Sequence, residues 1–147
     1  MSIIEATPNP DESCTLGKRE PVLSSSKLEL SSIANILSSY RYRYGNEIQL
    51  QDGMQSVLEA AGHCIERERV LDSKSRLDLW ADGIVVEVKV DGSLGAALRQ
   101  VSRYMKHPDV RGVVLASTER WARQPLSELP EWGGKPFMMI QVLRQSL

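Results

Sequence analysis

Three residues, Asp78, Glu87 and Lys89, offer the chemistry that this sequence makes available. They flank an Asp82-Gly83 pair that lies between two strand-like runs, Arg76–Ala81 and Ile84–Val90. Asp-Gly in that setting is the strongest short-range hairpin signal. A two-residue turn there makes Ala81 face Ile84, Trp80 face Val85, Leu79 face Val86, Asp78 face Glu87 and Arg76 face Lys89. Side-chain alternation then puts Asp78, Glu87 and Lys89 on one face of the sheet. Leu77, Leu79, Ala81, Ile84, Val86, Val88 and Val90 fall on the other, as a continuous apolar surface. Facing carboxylates about 4.5–5.5 Å apart at Cβ repel one another, and burial aggravates this. A hard divalent cation removes the objection, since Mg2+ takes one or two carboxylates together with phosphate and water. With an ammonium alongside, the set suits phosphodiester hydrolysis: the cation polarises the phosphoryl oxygen and acidifies a water, and Lys89 meets developing negative charge or orients that water. The competing reading is an Asp/Glu/Lys salt-bridge cluster on a solvated sheet face.

The elements that must position these groups can be read from spacing. Residues 1–26, with three of the seven prolines and a Ser24-Ser25-Ser26 run, read as a flexible tail, and residues 27–147 as a single domain. A helix is expected over Lys27–Tyr40, with Leu28, Leu30, Ile33, Ile36 and Leu37 mostly at helical spacing. The basic and aromatic Arg41-Tyr42-Arg43-Tyr44 follows, ending on Gly45 as a helix C-cap. A second helix should run from about Asn46, its N-cap, to Ala61, with Leu50, Met54, Val57, Leu58 and Ala61 as its apolar stripe and Gly62 as its stop. Glu47 shares that stripe, and a carboxylate there needs a reason. Strands are expected at Ile65–Leu71, Arg76–Ala81, Ile84–Val90, Val110–Ala116 and Phe137–Leu143. A third helix at Ser93–Lys106 stands between the third and fourth of these, and short helical turns at 118–129 precede Gly133-Gly134. The order makes Ile84–Val90, the third helix and Val110–Ala116 a βαβ unit with parallel strands and a right-handed crossover.

Asp78, then eight residues, then Glu87-Val88-Lys89 resembles the D-(x)n-E-x-K core of the PD-(D/E)XK nuclease superfamily, above all its small Holliday-junction-resolvase and VRR-NUC-like members. The resemblance spans about residues 46–117, where the expected αβββαβ order matches that of the family. It implies an α/β restriction-endonuclease-like fold with a mixed central sheet flanked by helices. It also implies an Mg2+- or Mn2+-dependent deoxyribonuclease, with Asp78 and Glu87 binding the metal and Lys89 assisting the hydrolytic water. Members often carry an acidic residue in the preceding helix, a place Glu47 would fill as a third metal-site residue. A Gln in the following helix is a recurrent companion, and Gln100 stands there. The proline of the motif's name is absent, Leu77 taking its place.

Other positions bear on substrate. Arg99, Arg103 and Lys106 form a basic ridge on the third helix, and Arg41, Arg43, Tyr44 and Arg76 complete a candidate nucleic-acid surface of phosphate contacts and a stacking ring. Overall charge gives no such indication: 18 Lys+Arg stand against 19 Asp+Glu, a formal net of −1. DNA would therefore meet a local patch aided by a cation, not a basic field. The length, 147 residues, allows one domain and favours a homodimer that cuts paired strands, with weakly specific or structure-selective cutting or targeting by a protein partner. His63 and His107 are isolated, which argues against zinc, and no G-x-x-x-x-G-K-[ST] supports ATP hydrolysis. The lack of a long apolar run or a secretory leader points to a cytoplasmic protein off the membrane, with Cys14 and Cys64 as reduced thiols. The alternative from another class is a catalytically silent nuclease-fold protein acting as a protein-binding or inhibitory module.

Overall fold

A computed structural model describes residues 22–126 and 132–145. Most of the expected tail, Cys14 and the end of the 118–129 turns lie outside them. The first helix, α1 (Val22–Ser38), begins five residues before Lys27 and takes in the serine run, with Ser25 and Ser26 buried. Its core stripe is Leu30, Ile33, Ala34 and Leu37, one face at i, i+3, i+4 and i+7. Leu28 lies two residues off that stripe and is exposed, contrary to its expected core place. A short strand, β1 (Arg41–Tyr42), follows. The second helix, α2 (Glu47–Ala60), starts as expected on Asn46, whose Oδ1 accepts the Gln49 N–H at 2.9 Å. Gly45 is not a helix C-cap: its N–H donates to Gln49 Oε1, which makes it part of the entry to α2. Leu50, Met54 and Leu58 are buried, and Gly62 at φ +98° stops the helix.

Next come β2 (Glu66–Arg67), β3 (Val70–Asp72), β4 (Ser75–Arg76), β5 (Leu79–Ala81) and β6 (Ile84–Lys89). Each of the first two expected strands is thus broken in two. Then follow α3 (Leu94–Met105), β7 (Gly112–Ser117), a 3-10 turn at Arg120–Arg123, β8 (Phe137–Gln141) and β9 (Leu143–Arg144). The main sheet has the order β2-β5-β6-β7-β8. The β2/β5 and β5/β6 pairs are antiparallel, whereas β6/β7 and β7/β8 are parallel, so the expected βαβ unit is present. Residues of α1 and α2 pack with Leu79, Ala81, Ile84, Val86 and Val88 on one face of this mixed sheet. Residues of α3 pack with Trp80, Val85 and Val113 on the other. The protein is therefore a mixed α/β fold with a sheet between helical layers. Among the described residues no helix is long and apolar enough to cross a membrane. Cys64 is disulfide-bonded, which corrects its reading as a reduced thiol.

The hairpin has the predicted register, with Leu79, Trp80 and Ala81 opposite Val86, Val85 and Ile84. Its turn places Asp82 at φ 45° and Gly83 at φ 92°, the double left-handed geometry that Asp-Gly favours. A Cβ on Gly83 would come 2.7 Å from Arg111 Nε, and Arg111 binds this turn through its backbone N–H to Gly83 O at 2.7 Å. Gly83→Ala combines a strained backbone with a displaced arginine, so it should destabilise the fold by about 1–3 kcal/mol. A denaturant midpoint equal to that of the wild type would contradict this.

Candidate active site

The site forms where β5 peels away from β6. In a regular ladder of this register, the Val88 N–H would pair with the Leu77 carbonyl. Instead, the Leu77 N–H donates to Arg69 O at 2.8 Å, and Asp78 O accepts the Glu68 N–H at 3.1 Å, so this stretch follows the 67–69 backbone. The vacated Val88 N–H is taken by the Asp78 carboxylate, Oδ2 at 2.8 Å. Asp78 thus substitutes for the missing ladder bond and is held against β6 at the level of Glu87. The same departure turns Leu77 over. It packs with Trp80, Val85, Val101 and Tyr104 on the α3 side, not with Leu79 and Ala81 as strict alternation requires.

Glu87 is fully buried in the central strand, where neither carboxylate oxygen meets a well-aligned donor and only Lys89, Tyr104 and Asp78 come close to it. Lys89 Nζ stands 3.1 Å from Oε1, and both its charge and this polar contact favour the carboxylate form. The Tyr104 hydroxyl next to it already donates to Arg76 O at 3.0 Å. A buried charged carboxylate so poorly solvated is costly. Burial first, then the Asp78 charge, push the Glu87 pKa up to about 8, with Lys89 pulling against them. Asp78 is raised as well, chiefly by burial, despite the Val88 N–H and Lys89. Burial works against the Lys89 ammonium, but Glu87, Asp78 and Glu47 outweigh it and hold its pKa above the usual lysine value. Among the described residues none of these acids forms an ion pair with an arginine: Arg67 bonds Asp52, Gln51 and Gln55 and reaches Asp78 only through its charge.

Glu47, in the first turn of α2, is half-buried and accepts the Val90 N–H through Oε2 at 3.3 Å. Burial raises its pKa, and it feels the charges of Asp78 and Lys89. It therefore sits beside the cluster, tied to the end of β6. Gln100 reaches the same place indirectly, donating Nε2–H to Tyr104 Oη at 2.6 Å. Tyr104 is the site residue that sequence reasoning missed. The available signal was its position four residues after Gln100 on one helix, with an aromatic ring on the buried stripe.

The candidate substrate contacts are distributed around this centre. Arg99, Arg103 and Lys106 are exposed along α3, and none forms an ion pair with a described residue. Arg76 is exposed and 3.7 Å from Glu68. Arg41, Arg43 and Tyr44 lie at β1, which pairs with β9. The chain reaches β9 through Val142, whose N–H donates to Ser117 O, and Ser117 is the register partner of Lys89. That ribbon therefore lies at the same C-terminal rim of the parallel strands as Lys89. Arg41 is exposed, Arg43 donates Nε–H to Gln145 Oε1 at 3.2 Å, and Arg144 covers the Tyr44 ring at 4.3 Å. Tyr44 is thus already stacked.

The donor set fits a hard dication held by two carboxylates, because the buried Glu87 oxygens lack a well-aligned donor and Asp78 commits only Oδ2 to the backbone. No group of three His, Cys, Asp or Glu side chains converges as a metal cluster among the described residues. Compared with known proteins, the chain matches no protein-family model, no curated sequence and no solved structure.

Proposed function

We propose that this protein belongs functionally with the restriction-endonuclease-like nucleases and, within that class, is a small metal-dependent deoxyribonuclease. The observation that carries the reading is Glu87, a fully buried acid without a well-aligned donor, beside Asp78 and 3.1 Å from Lys89. An acid so placed must either keep its proton or bind a cation to be tolerated. The strand order and directions of β2, β5, β6 and β7, with α2 before them and α3 as the crossover, agree with the αβββαβ arrangement that the D-(x)n-E-x-K resemblance implies.

Asp78 and Glu87 would hold Mg2+ or Mn2+, with Glu47 adding negative charge nearby. Bound there, the ion would supply Lewis-acid polarisation of the phosphoryl group. The protein's own residues provide the rest. Lys89, whose pKa lies above the usual lysine value, would present a fixed positive charge where negative charge develops on the phosphate oxygens. Gln100 and Tyr104, joined to each other and to the Arg76 carbonyl, fix the wall of the site opposite β6 and can orient a water. Arg76, Arg99, Arg103 and Lys106 would contact phosphates of DNA without reading sequence. A homodimer would bring two such sites to paired strands.

The test is cleavage of branched, duplex and single-stranded DNA with Mn2+, with EDTA and Asp78→Ala controls. The expected result is cleavage that needs the ion and falls at least ~10²-fold in the variant. No wild-type cleavage of any of the three, alongside intact binding of a protein partner, would favour the catalytically silent alternative.

A further inference from the structure

Two loops meet at the rim that carries Lys89, and neither is used by the reading above. Thr118 follows β7 and bonds the end of β6 twice, N–H to Lys89 O and Oγ1–H to Val90 O, each at 3.2 Å. Three residues later Trp121 donates its indole N–H to Gly92 O at 3.1 Å, clamping the 3-10 turn onto the segment between β6 and α3. Trp80 and Trp132 belong to the α3-side core, whereas Trp121 belongs to neither core cluster and is partly exposed. A rigidly anchored, solvent-facing indole is poorly explained by packing. On either side stand Arg120 and Arg123, both exposed and without an ion pair to a described residue. Three residues of 3-10 helix bring side chains into line, at a rise of about 2 Å per residue. Arg120 and Arg123, one turn apart, therefore share one side of the turn, and Trp121 stands about a third of a turn round from them. Asp91 and Glu119 lie in the same loops, yet neither pairs with these arginines.

We infer that Arg120, Trp121 and Arg123 form a docking arm for a single-stranded or unpaired stretch of nucleic acid, the indole stacking on a base and the two arginines meeting consecutive phosphates. The inference deepens the nuclease reading and rests on it for the role of the arm, which is to lead the strand to Lys89. An unpaired strand is favoured over a duplex, because a partly exposed indole has a stacking use only where bases are accessible. Arginine on either side supplies the charge that overall composition does not.

The test separates binding from cleavage. Binding of a fluorescein-labelled oligothymidylate to the full chain is followed by anisotropy in EDTA over a salt series. The Arg120→Ala/Arg123→Ala double variant should bind more weakly and lower the slope of log K against log salt by about 1.4, the equivalent of two single-strand phosphate contacts. Trp121→Ala should weaken binding about 5- to 150-fold, and Trp121→Phe should restore most of the loss because it keeps a stacking ring. Unchanged slopes and affinities in the folded variants, or no binding by the wild type at low salt, would overturn the arm. Wild-type cleavage with Mn2+ is measured alongside. Arm-dependent binding without cleavage would sink the nuclease reading alone; cleavage without arm-dependent binding would sink the arm alone.

Discussion

Lys89→Ala is expected to lower metal-dependent DNA cleavage by about 10²–10³-fold, the usual loss when one fixed charge is taken from a developing anion. The residue sits at the last position of β6, partly buried, with its amine 3.1 Å from Glu87. Its pKa stays above the usual lysine value, so at neutral pH the ammonium is present before any substrate arrives. Removing it has two consequences that kinetics can separate. The nearest cation to Glu87 disappears, which favours the protonated acid and weakens the hold on a metal ion; more Mn2+ offsets this part. The charge facing the phosphate is lost as well, and no amount of Mn2+ replaces it. Single-turnover rates at saturating Mn2+ should therefore remain depressed, with the circular dichroism spectrum unchanged. Full recovery of the rate at high Mn2+ would reduce Lys89 to a neighbour that tunes its strand partner.

The second large effect concerns stability. The folded-state pKa of Glu87 lies near 8, against 4.5 for a free glutamate. Between those values the folded protein keeps a proton that the unfolded chain has released. The stabilisation is fully present below about 4.5 and is lost as pH rises through about 8. Metal-free protein should accordingly lose stability by up to about 1.4 kcal/mol per pH unit across that window. Burial also raises Asp78 and Glu47, which adds a smaller slope of the same sign at the acidic end. Glu87→Gln keeps the shape and removes the charge. At pH 4 it should match the wild type in urea melts, and at pH 9 it should be more stable by a few kcal/mol. Mn2+ should stabilise the wild type at pH 8 and leave Glu87→Gln almost unmoved. Parallel pH profiles for the two proteins would mean that Glu87 is already ionised and satisfied.

Legibility in the sequence followed how local each determinant was. Asp82-Gly83 fixed its own turn and, through it, the pairing of Leu79 with Val86. The run from Ile84 to Lys89 alternated cleanly, so Glu87 and Lys89 could be assigned to one face without knowing what lay above it. Helix starts at Asn46 and Ser93 were readable because a side-chain oxygen caps an N–H three residues on. Asp78 was harder. Its nearness to Glu87 was inferred from a ladder that ends one residue too early, and the actual link is its carboxylate on the Val88 N–H. The cause is a non-local competition: backbone at 68–69 captures residues 77 and 78, which no periodicity within the hairpin reveals. Leu77 faces α3 for the same reason. Leu28 was misplaced because a leucine-rich helix permits more than one stripe, and only the sheet beneath chose Leu30, Ile33, Ala34 and Leu37. Tyr104 escaped notice because an apolar reading of a buried ring ignores where its hydroxyl goes.

The most direct test of the central claim is a calorimetric titration of Mn2+ into the metal-free protein at pH 7, repeated in two buffers of different ionisation enthalpy. A carboxylic acid with a pKa near 8 is about nine-tenths protonated at pH 7, and a carboxylate must lose its proton to bind metal. The account predicts saturable binding that releases nearly one proton per ion, with release abolished in Glu87→Gln. No saturable binding, or binding with the same proton count in wild type and Glu87→Gln, would contradict it.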